Sequence, residues 1–598
     1  MLPVSATWQA AIKEQFRYQG YLRVTLQVSP PGLQDNLSIS SDDSFPQSDV
    51  DSMNDSNQSP EAYASLEPNR WLLNGKFNIL ETKAVQTGDW WSTIIKNASK
   101  VIHFQFDNTY NIPGLHIQWD SADQTFPTKV KITGYDASSN VIATKTITNI
   151  DSYISYIDMA MSKVYSVDLE IVSWNNSGWR AHIAEVLFGL YASYDSINNG
   201  RVVSADSIME SGPLAEDLPK VTVSLSLRNL DREFDPSLES GISKYLAQRQ
   251  RVAIQWGFAT SYNNIEWAPS VYKYIESFSI PEDSKEITIE TTHRLSFMES
   301  DFKRATYNGS RRTLYSVAEE ILRNSDIIKE SENDKPWELD EVLKTFYTNA
   351  PVPKQPTNQV LQLIANASTC WLSSDPQTDY VKIAKMSISE ENAVEVGKMQ
   401  QLGDPAFEIQ EQIHTLTIGV YQYVAADTKT NVSSGNYTIK GQTTLQIDYA
   451  VEAAKGVTCS VSGATLVSFT PYSSSAIVVV KPTSGNSATA TVALEGYEVK
   501  SSVTYVQTYQ DTSITAGLDV IIDNPFITET ESLDALSTWI VGWYNRRQKI
   551  SMSYIGYPEL ESGDTINLST VYKDNVLTQV LRNELSFNGA FDGTLEVR

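Results

Sequence analysis

Residues 201–258 read RVVSADSIMESGPLAEDLPKVTVSLSLRNLDREFDPSLESGISKYLAQRQRVAIQWGF. Within this stretch Val221, Val223, Leu225 and Leu227 alternate with Thr222, Ser224, Ser226 and Arg228. A period of two sends one set of side chains to a buried sheet face and the other to a wetter one. The run halts at Asn229-Leu230-Asp231-Arg232 and Asp235-Pro236, residues suited to turns. Ile242, Tyr245 and Leu246 stand three and four apart and predict one or two helical turns packed on the sheet. Val252, Ile254 and Trp256 resume the alternation, which ends at Gly257.

The wider composition sets the frame. A chain of 598 residues holds roughly three to five domains. With 41% hydrophobic and 20% charged residues it has the make-up of a globular protein. The 30 tyrosines and 13 tryptophans suit extensive sheet, and also surfaces that face carbohydrate. A formal charge of −26 repels nucleic acid, so no stable nucleic-acid binding is expected. The same charge serves solubility, and would equally suit the wall of a channel through which DNA slides. Only Cys370 and Cys459 are present, which excludes a disulfide framework and a cysteine-rich metal site. The start, Met1-Leu2-Pro3-Val4, lacks the pattern of a secretory signal, and no run reaches the ~20 apolar residues of a membrane span. Synthesis in a cytoplasm is therefore expected.

The order of features in residues 201–258 resembles the baseplate or tail hub proteins of tailed bacteriophages. In that family a strand of the first barrel ends in an Asn-x-Asp turn, here Asn229 and Asp231. An Asp-Pro step (Asp235-Pro236), a short helix (242–246) and a Gln/Arg strand start (Arg249-Gln250-Arg251) follow. Further segments agree. Residues 1–30 predict a helix with the stripe Trp8, Ala11, Ile12 and Phe16, capped by Ser5, and then a strand from Tyr21 to Val28. Residues 271–280 and 286–292 read as barrel-closing strands, although His293-Arg294-Leu295 stands where the family has an Asp. Helices are expected at 313–324 and after Pro356, running into Cys370-Trp371-Leu372 and a strand at 380–383. Near the end come Asp523-Asn524-Pro525-Phe526-Ile527, then a helix with Leu533, Leu536, Ile540, Trp543 and Tyr544 on one face. After these stand Pro558-Glu559-Leu560-Glu561-Ser562-Gly563-Asp564 and Asn583-Glu584-Leu585-Ser586-Phe587-Asn588-Gly589. In hub proteins four such motifs close the second barrel in that order.

Between these segments lies a different unit. From Arg23 to Arg70 no basic residue occurs while acidic ones recur, so residues 36–65 read as an acidic linker. A calcium loop through Asp42, Asp43, Asp49, Asp51 and Asp55 is the sharper reading, but the glycine spacing of an EF-hand is missing. Residues 66–195 carry short strands at regular spacing, the sign of a β-sandwich or jelly roll. They resemble the discoidin (factor 5/8 C-type) family, with Asn74-Gly75 and Trp90 or Trp91 at the opening. Ile183, Glu185, Val186, Phe188 and Gly189 match its ending; the family's terminal disulfide is absent and its Asp is replaced by Asn74. The resemblance implies a carbohydrate-binding end. A sugar site needs an aromatic face for the C–H side of a ring, and amides or guanidinium groups for its hydroxyls. Trp90, Trp91, Trp174, Asn175, Asn176, Trp179 and Arg180 supply those types; each tryptophan could equally anchor a core.

The expected architecture is mainly β with a smaller α/β part. A first hub β-barrel is made of residues 1–35 and 196–300, with the sandwich inserted between them, a strand at 22–28 being expected to pair with 221–227. A central α/β domain occupies 301–395, and a second hub barrel 396–598, in which 441–510 is either an Ig-like insert or an elaborated hairpin. No catalytic or metal-ligating set emerges. The five histidines, His103, His116, His182, His293 and His414, fall in no zinc spacing, and no nucleophile, phosphate-loop or dinucleotide motif is present. Glu559 and Glu561 could mimic glycosidase carboxylates, as could pairs in any chain this acidic. Neither enzyme activity nor a cofactor is expected. The resemblance implies a homotrimer at a virion tail tip, contacting a distal tail protein or tail-tube ring and a tape measure protein, and gripping host cell-surface glycan. A secreted or surface-bound glycan-binding adhesin is the alternative, as is the same hub in a phage-derived bacteriocin or injection particle.

Overall fold

A computed structural model gives the architecture. It describes residues 1–598 except 15–16, 29–32, 34–36, 42–89, 95–99, 120–125, 149, 151–153, 176–179, 198–199, 231, 233, 236–242, 244–245, 262–263, 282–284, 330–334, 387, 389 and 391–392. The calcium-loop aspartates, most of the acidic linker, Asn74-Gly75, Asp231 and Pro236 therefore fall outside the described residues, as does most of the helix expected at 242–246.

The chain is mainly β, with a smaller helical part. Its largest sheet runs, in hydrogen-bonded order, through Ala406–Ile409, Gln548–Tyr554, Phe591–Val597, Val576–Phe587, Val202–Glu210, Lys220–Arg228, Glu286–Thr292, Val271–Ser279, Arg251–Ser261, Gly20–Val28 and Leu190–Asp195. The alternation in residues 221–227 behaves as its period requires. Val223, Leu225 and Leu227 are buried, and the serines between them are more open. The strand Gly20–Val28 pairs with Arg251–Ser261 and Leu190–Asp195, not with residues 221–227. Residues 221–227 instead lie between Val202–Glu210 and Glu286–Thr292. Alternation specifies a face but not a neighbour, so the partner had to come from tertiary packing.

The sheet curls over one apolar core. Trp256 meets Phe591 edge-on at 5.9 Å, and Trp8 lies 5.7 Å from Phe258. Gly20 sits so close to Phe591 that a Cβ there would fall 2.8 Å from its ring. Strands assigned by sequence to the two hub barrels are thus continuous in hydrogen bonding, through Ala205↔Phe587 to Glu210↔Arg582.

A second core joins helices Leu314–Asn324, Thr357–Asn366 and Leu533–Tyr544 to strands Ile413–Ala425 and Leu518–Ile522. Thr313 caps the first helix, its hydroxyl accepting from the Ser316 amide at 3.2 Å. Asn524 ties this layer together, donating to the Leu363 carbonyl (2.7 Å) and to Asn366 Oδ1 (2.9 Å). The strand Ser487–Gln510 serves two units. Its second half pairs with Ile413–Ala425, and its first half pairs with Thr430–Lys440 and Ala454–Ser462. With Thr443–Asp448, Ala464–Pro471 and Ser475–Pro482 these strands enclose a small core of their own, around Val432, Ile439, Val478, Val480, Val492 and Leu494. A long hairpin thus carries a two-sheet module at its tip.

The inserted sandwich has its own core. Strands Lys100–Trp119 and Ile154–Trp174 are long enough to belong to both of its layers. Their first and last parts, respectively, pair with each other beside Leu37–Ser40, Pro127–Tyr135 and Val141–Thr148. Their remaining parts pair beside Arg180–Phe188 and Trp90–Ile94. Leu37–Ser40, expected in the linker, is thus a sandwich strand, because Leu37 and Ile39 have an apolar face to cover. Leu190–Asp195, expected in the sandwich, belongs to the large sheet. Gly189 makes the change of sheet at φ 124°, a conformation open to glycine, and donates to the Gly114 carbonyl at 2.8 Å.

Candidate functional site

The register collects one set of strand ends at a single end of the sandwich. Ile94 opposes Arg180, Lys100 opposes Ile171, Pro127 opposes Trp174, and Gln118 opposes Ile154. Trp174 and Asn175, from the end of one strand, and Arg180, from the start of the next, are brought to this end. Asn175 is exposed; its Oδ1 accepts from the Phe126 amide at 3.2 Å while its own amide donates to the Phe126 carbonyl at 3.0 Å. Trp174 is not a loop residue. It ends a strand, is 7% exposed, and packs edge-on against Trp119 at 5.9 Å, so its ring supports the core and offers no open face. Its indole Nε1 has no partner among the described residues. Trp90 and Trp91 also lie in a strand, paired with Ile183 and His182, three or four positions back from that end. Asn176 and Trp179 lie outside the described residues. The residues matched to the discoidin ending serve the sandwich interior, with Ile183, Val186 and Phe188 completely buried. His116, on the same layer, has its pKa pushed down to about 4 by burial.

A second cluster lies where the large sheet meets the helical layer, and sequence reasoning missed it. Lys273 and Asp379 are both buried, with Lys273 Nζ donating to Asp379 Oδ1 at 3.0 Å. The Arg294 amide donates to Asp379 Oδ2 at 2.7 Å. The Arg294 guanidinium donates to the Tyr274 hydroxyl (2.7 Å) and the Ile328 carbonyl (2.8 Å). His293 beside it is held neutral by burial, its pKa lowered to about 4. The only local signal was the departure at His293-Arg294-Leu295. Asp379 gives none, since its partners lie far from it in sequence.

The C-terminal motif residues are held by specific bonds. Tyr554 donates to Asn583 Oδ1 at 2.8 Å, and Asn583 donates to the Leu560 carbonyl at 2.7 Å. Glu559 is 2% exposed and accepts from Trp8 Nε1 at 3.2 Å; burial lifts its pKa to about 7. Gly563, at φ +89°, lies under Trp371, where a Cβ would come within 2.2 Å of the indole.

No protein-family model and no curated protein matches the sequence. Among solved structures the chain is similar to the 43 kDa tail protein of prophage MuSo2 from Shewanella oneidensis, at 10% identity and a TM-score of 0.34, covering 69% of this chain and 96% of that one. It is similar to a tail protein from Neisseria meningitidis at 7% identity and a TM-score of 0.34, covering 68% and 93%. A third similar structure is the prophage tail protein gp18 from Listeria monocytogenes, at 9% identity and a TM-score of 0.33, covering 66% and 87%.

Proposed function

We propose that this chain is a structural hub of a bacteriophage tail tip, assembling as a homotrimer and carrying a sandwich that holds host cell-surface glycan. The observation that carries this reading is the convergence of the hub-like motifs on one curled sheet. The strands Gly20–Val28, Val202–Glu210, Lys220–Arg228 and Arg251–Ser261 and the motifs at 557–566 and 583–589 contribute to it or pack inside it. The sandwich leaves and rejoins this body between Gly20–Val28 and Leu190–Asp195, which are themselves hydrogen-bonded neighbours. Such placement suits a decoration mounted on a scaffold. In this reading the chain is not an enzyme; it docks a distal tail protein or tail-tube ring and a tape measure protein.

An oligomer is supported by the edge strand Ala406–Ile409, exposed at all four positions. Around it Met399, Leu402, Phe407, Ile409, Val571 and Tyr572 are exposed, and the rings of Phe407 and Tyr572 lie 5.7 Å apart. Apolar groups gathered at an open edge mark a surface that is covered in the assembled state. Light scattering on the purified chain tests the assembly: a mass of three chains is expected, and a monomer at micromolar concentration would end the hub reading. The glycan arm is tested on an oligosaccharide array with Trp90, Trp179 and Arg180 each changed to alanine. Binding that survives all three changes removes the sandwich site.

A further inference from the structure

The sheet of Ile413–Ala425, Ser487–Gln510 and Leu518–Ile522 has a second face, turned away from the helices. Leu416, Ile418 and Val420 point into the core, so Gly419, Tyr421 and Tyr423 point outward. Val503 and Tyr505 stand opposite Tyr421 and Gly419, and Ile521 stands opposite Thr417. An outward sheet face ordinarily carries Thr, Ser, Lys or Glu. Here Ile521 is 65% exposed and Tyr505 50%. Tyr421 and Tyr423 stack with 17° between their planes. Asp523 accepts from the Tyr421 hydroxyl at 2.5 Å and the Tyr505 hydroxyl at 3.3 Å, so one carboxylate fixes two rings from different strands. Gly419 forms the floor between them, where a Cβ would stand only 3.0 Å from Val503 Cγ2.

Ile521 and Asp523 also form one wall of a groove of about 510 Å³. Gln355, Gln359, Gln362, Glu216 and Asp217 also line it, and among the described residues no lysine or arginine does. Gln355 and Gln359 are exposed. We propose that this platform and groove bind a neutral oligosaccharide. Tyrosine faces take the C–H side of a sugar ring, planar amides donate to and accept from its hydroxyls, and carboxylates accept from them. A groove without cations does not attract a phosphorylated or carboxylated ligand. Its volume lies within the range of small-ligand sites, roughly 300–1,000 Å³. The site is separate from the sandwich and does not depend on the reading given above.

The test uses the full chain with Trp179→Ala and Arg180→Ala combined, so that the sandwich end is disabled. The probes are immobilised oligomers of glucose, galactose and N-acetylglucosamine, with polyglycerol phosphate as the anionic arm. At least one neutral oligomer is expected to bind. Adding Tyr505→Ala or Gln359→Ala is expected to weaken it at least tenfold without moving the thermal midpoint, both side chains being exposed. The proposal is overturned if no neutral oligomer binds, if only the anionic polymer does, or if both added changes leave affinity intact. It is equally overturned if Tyr505→Ala alters only the oligomeric mass, which would assign the face to another copy of the chain.

Discussion

Asp379 combines a strained backbone with a buried charge. It sits at φ +57°, a conformation costly for a non-glycine residue, and is wholly buried between the Lys273 ammonium and the Arg294 backbone. Removing one partner of a buried pair leaves the other charge desolvated, at a cost of about 3–5 kcal/mol. Asp379→Ala, which strands two cations, is expected to lower stability by that order in denaturant unfolding, and Lys273→Met by somewhat less, because the Arg294 guanidinium still stands 3.8 Å from Asp379 Oδ2. Equal, small effects would mean that water reaches the cluster. Glu559 gives a pH prediction. Its folded pKa is raised to about 7, so between the ordinary carboxylate range and pH 7 the folded chain holds a proton that the unfolded chain has lost. Stability should therefore fall as pH rises from about 4.5 to about 7, by at most about 3 kcal/mol from this group. Glu559→Gln should flatten that part of the profile in thermal unfolding; an unchanged slope would exclude Glu559 as its source.

At the scale of elements, the insertion makes the sharpest prediction. Val28 and Leu190 are register partners, so the chain on either side of the sandwich is already positioned for a tight hairpin. Replacing residues 29–189 with Asn-Gly is expected to leave the curled sheet folded, with its thermal midpoint moved by only a few degrees. Loss of folding would show that the body needs the sandwich. Element scale is also where the sequence was most readable. Alternation at 221–227 and the spacings of Val317, Ile321, Val360 and Ile364 identify strands and helices whose buried faces match, since local periodicity follows directly from side-chain geometry. Trp174 was harder. Composition marks it as a sugar-facing ring, but the strand continues through it and turns the ring onto Trp119.

At the scale of the whole molecule the pairings were not legible. Val202–Glu210 binds Val576–Phe587 across most of the chain's length, and nothing within either strand names the other. The Lys273–Asp379 contact is hidden for the same reason: a lone aspartate becomes informative only beside its cations. Nor does the segment Ala406–Ile409 announce that it ends a sheet, since an edge is defined by what fails to pair with it. That edge has a testable consequence. Phe407→Asp combined with Tyr572→Asp is expected to convert the proposed trimer into monomers in light scattering while the thermal midpoint of the isolated chain holds, because both rings face solvent. A trimer that persists would place the subunit contact elsewhere.

The neighbouring rungs of Val28 and Leu190 carry an evolutionary consequence. Any self-contained unit whose two ends lie about one strand spacing apart, roughly 5 Å, can occupy that gap without disturbing the ladder beneath. Recombination there would exchange an entire cassette while the strand pairings of the large sheet stay as they are. The sandwich can thus change as a unit while the frame beneath it stays fixed.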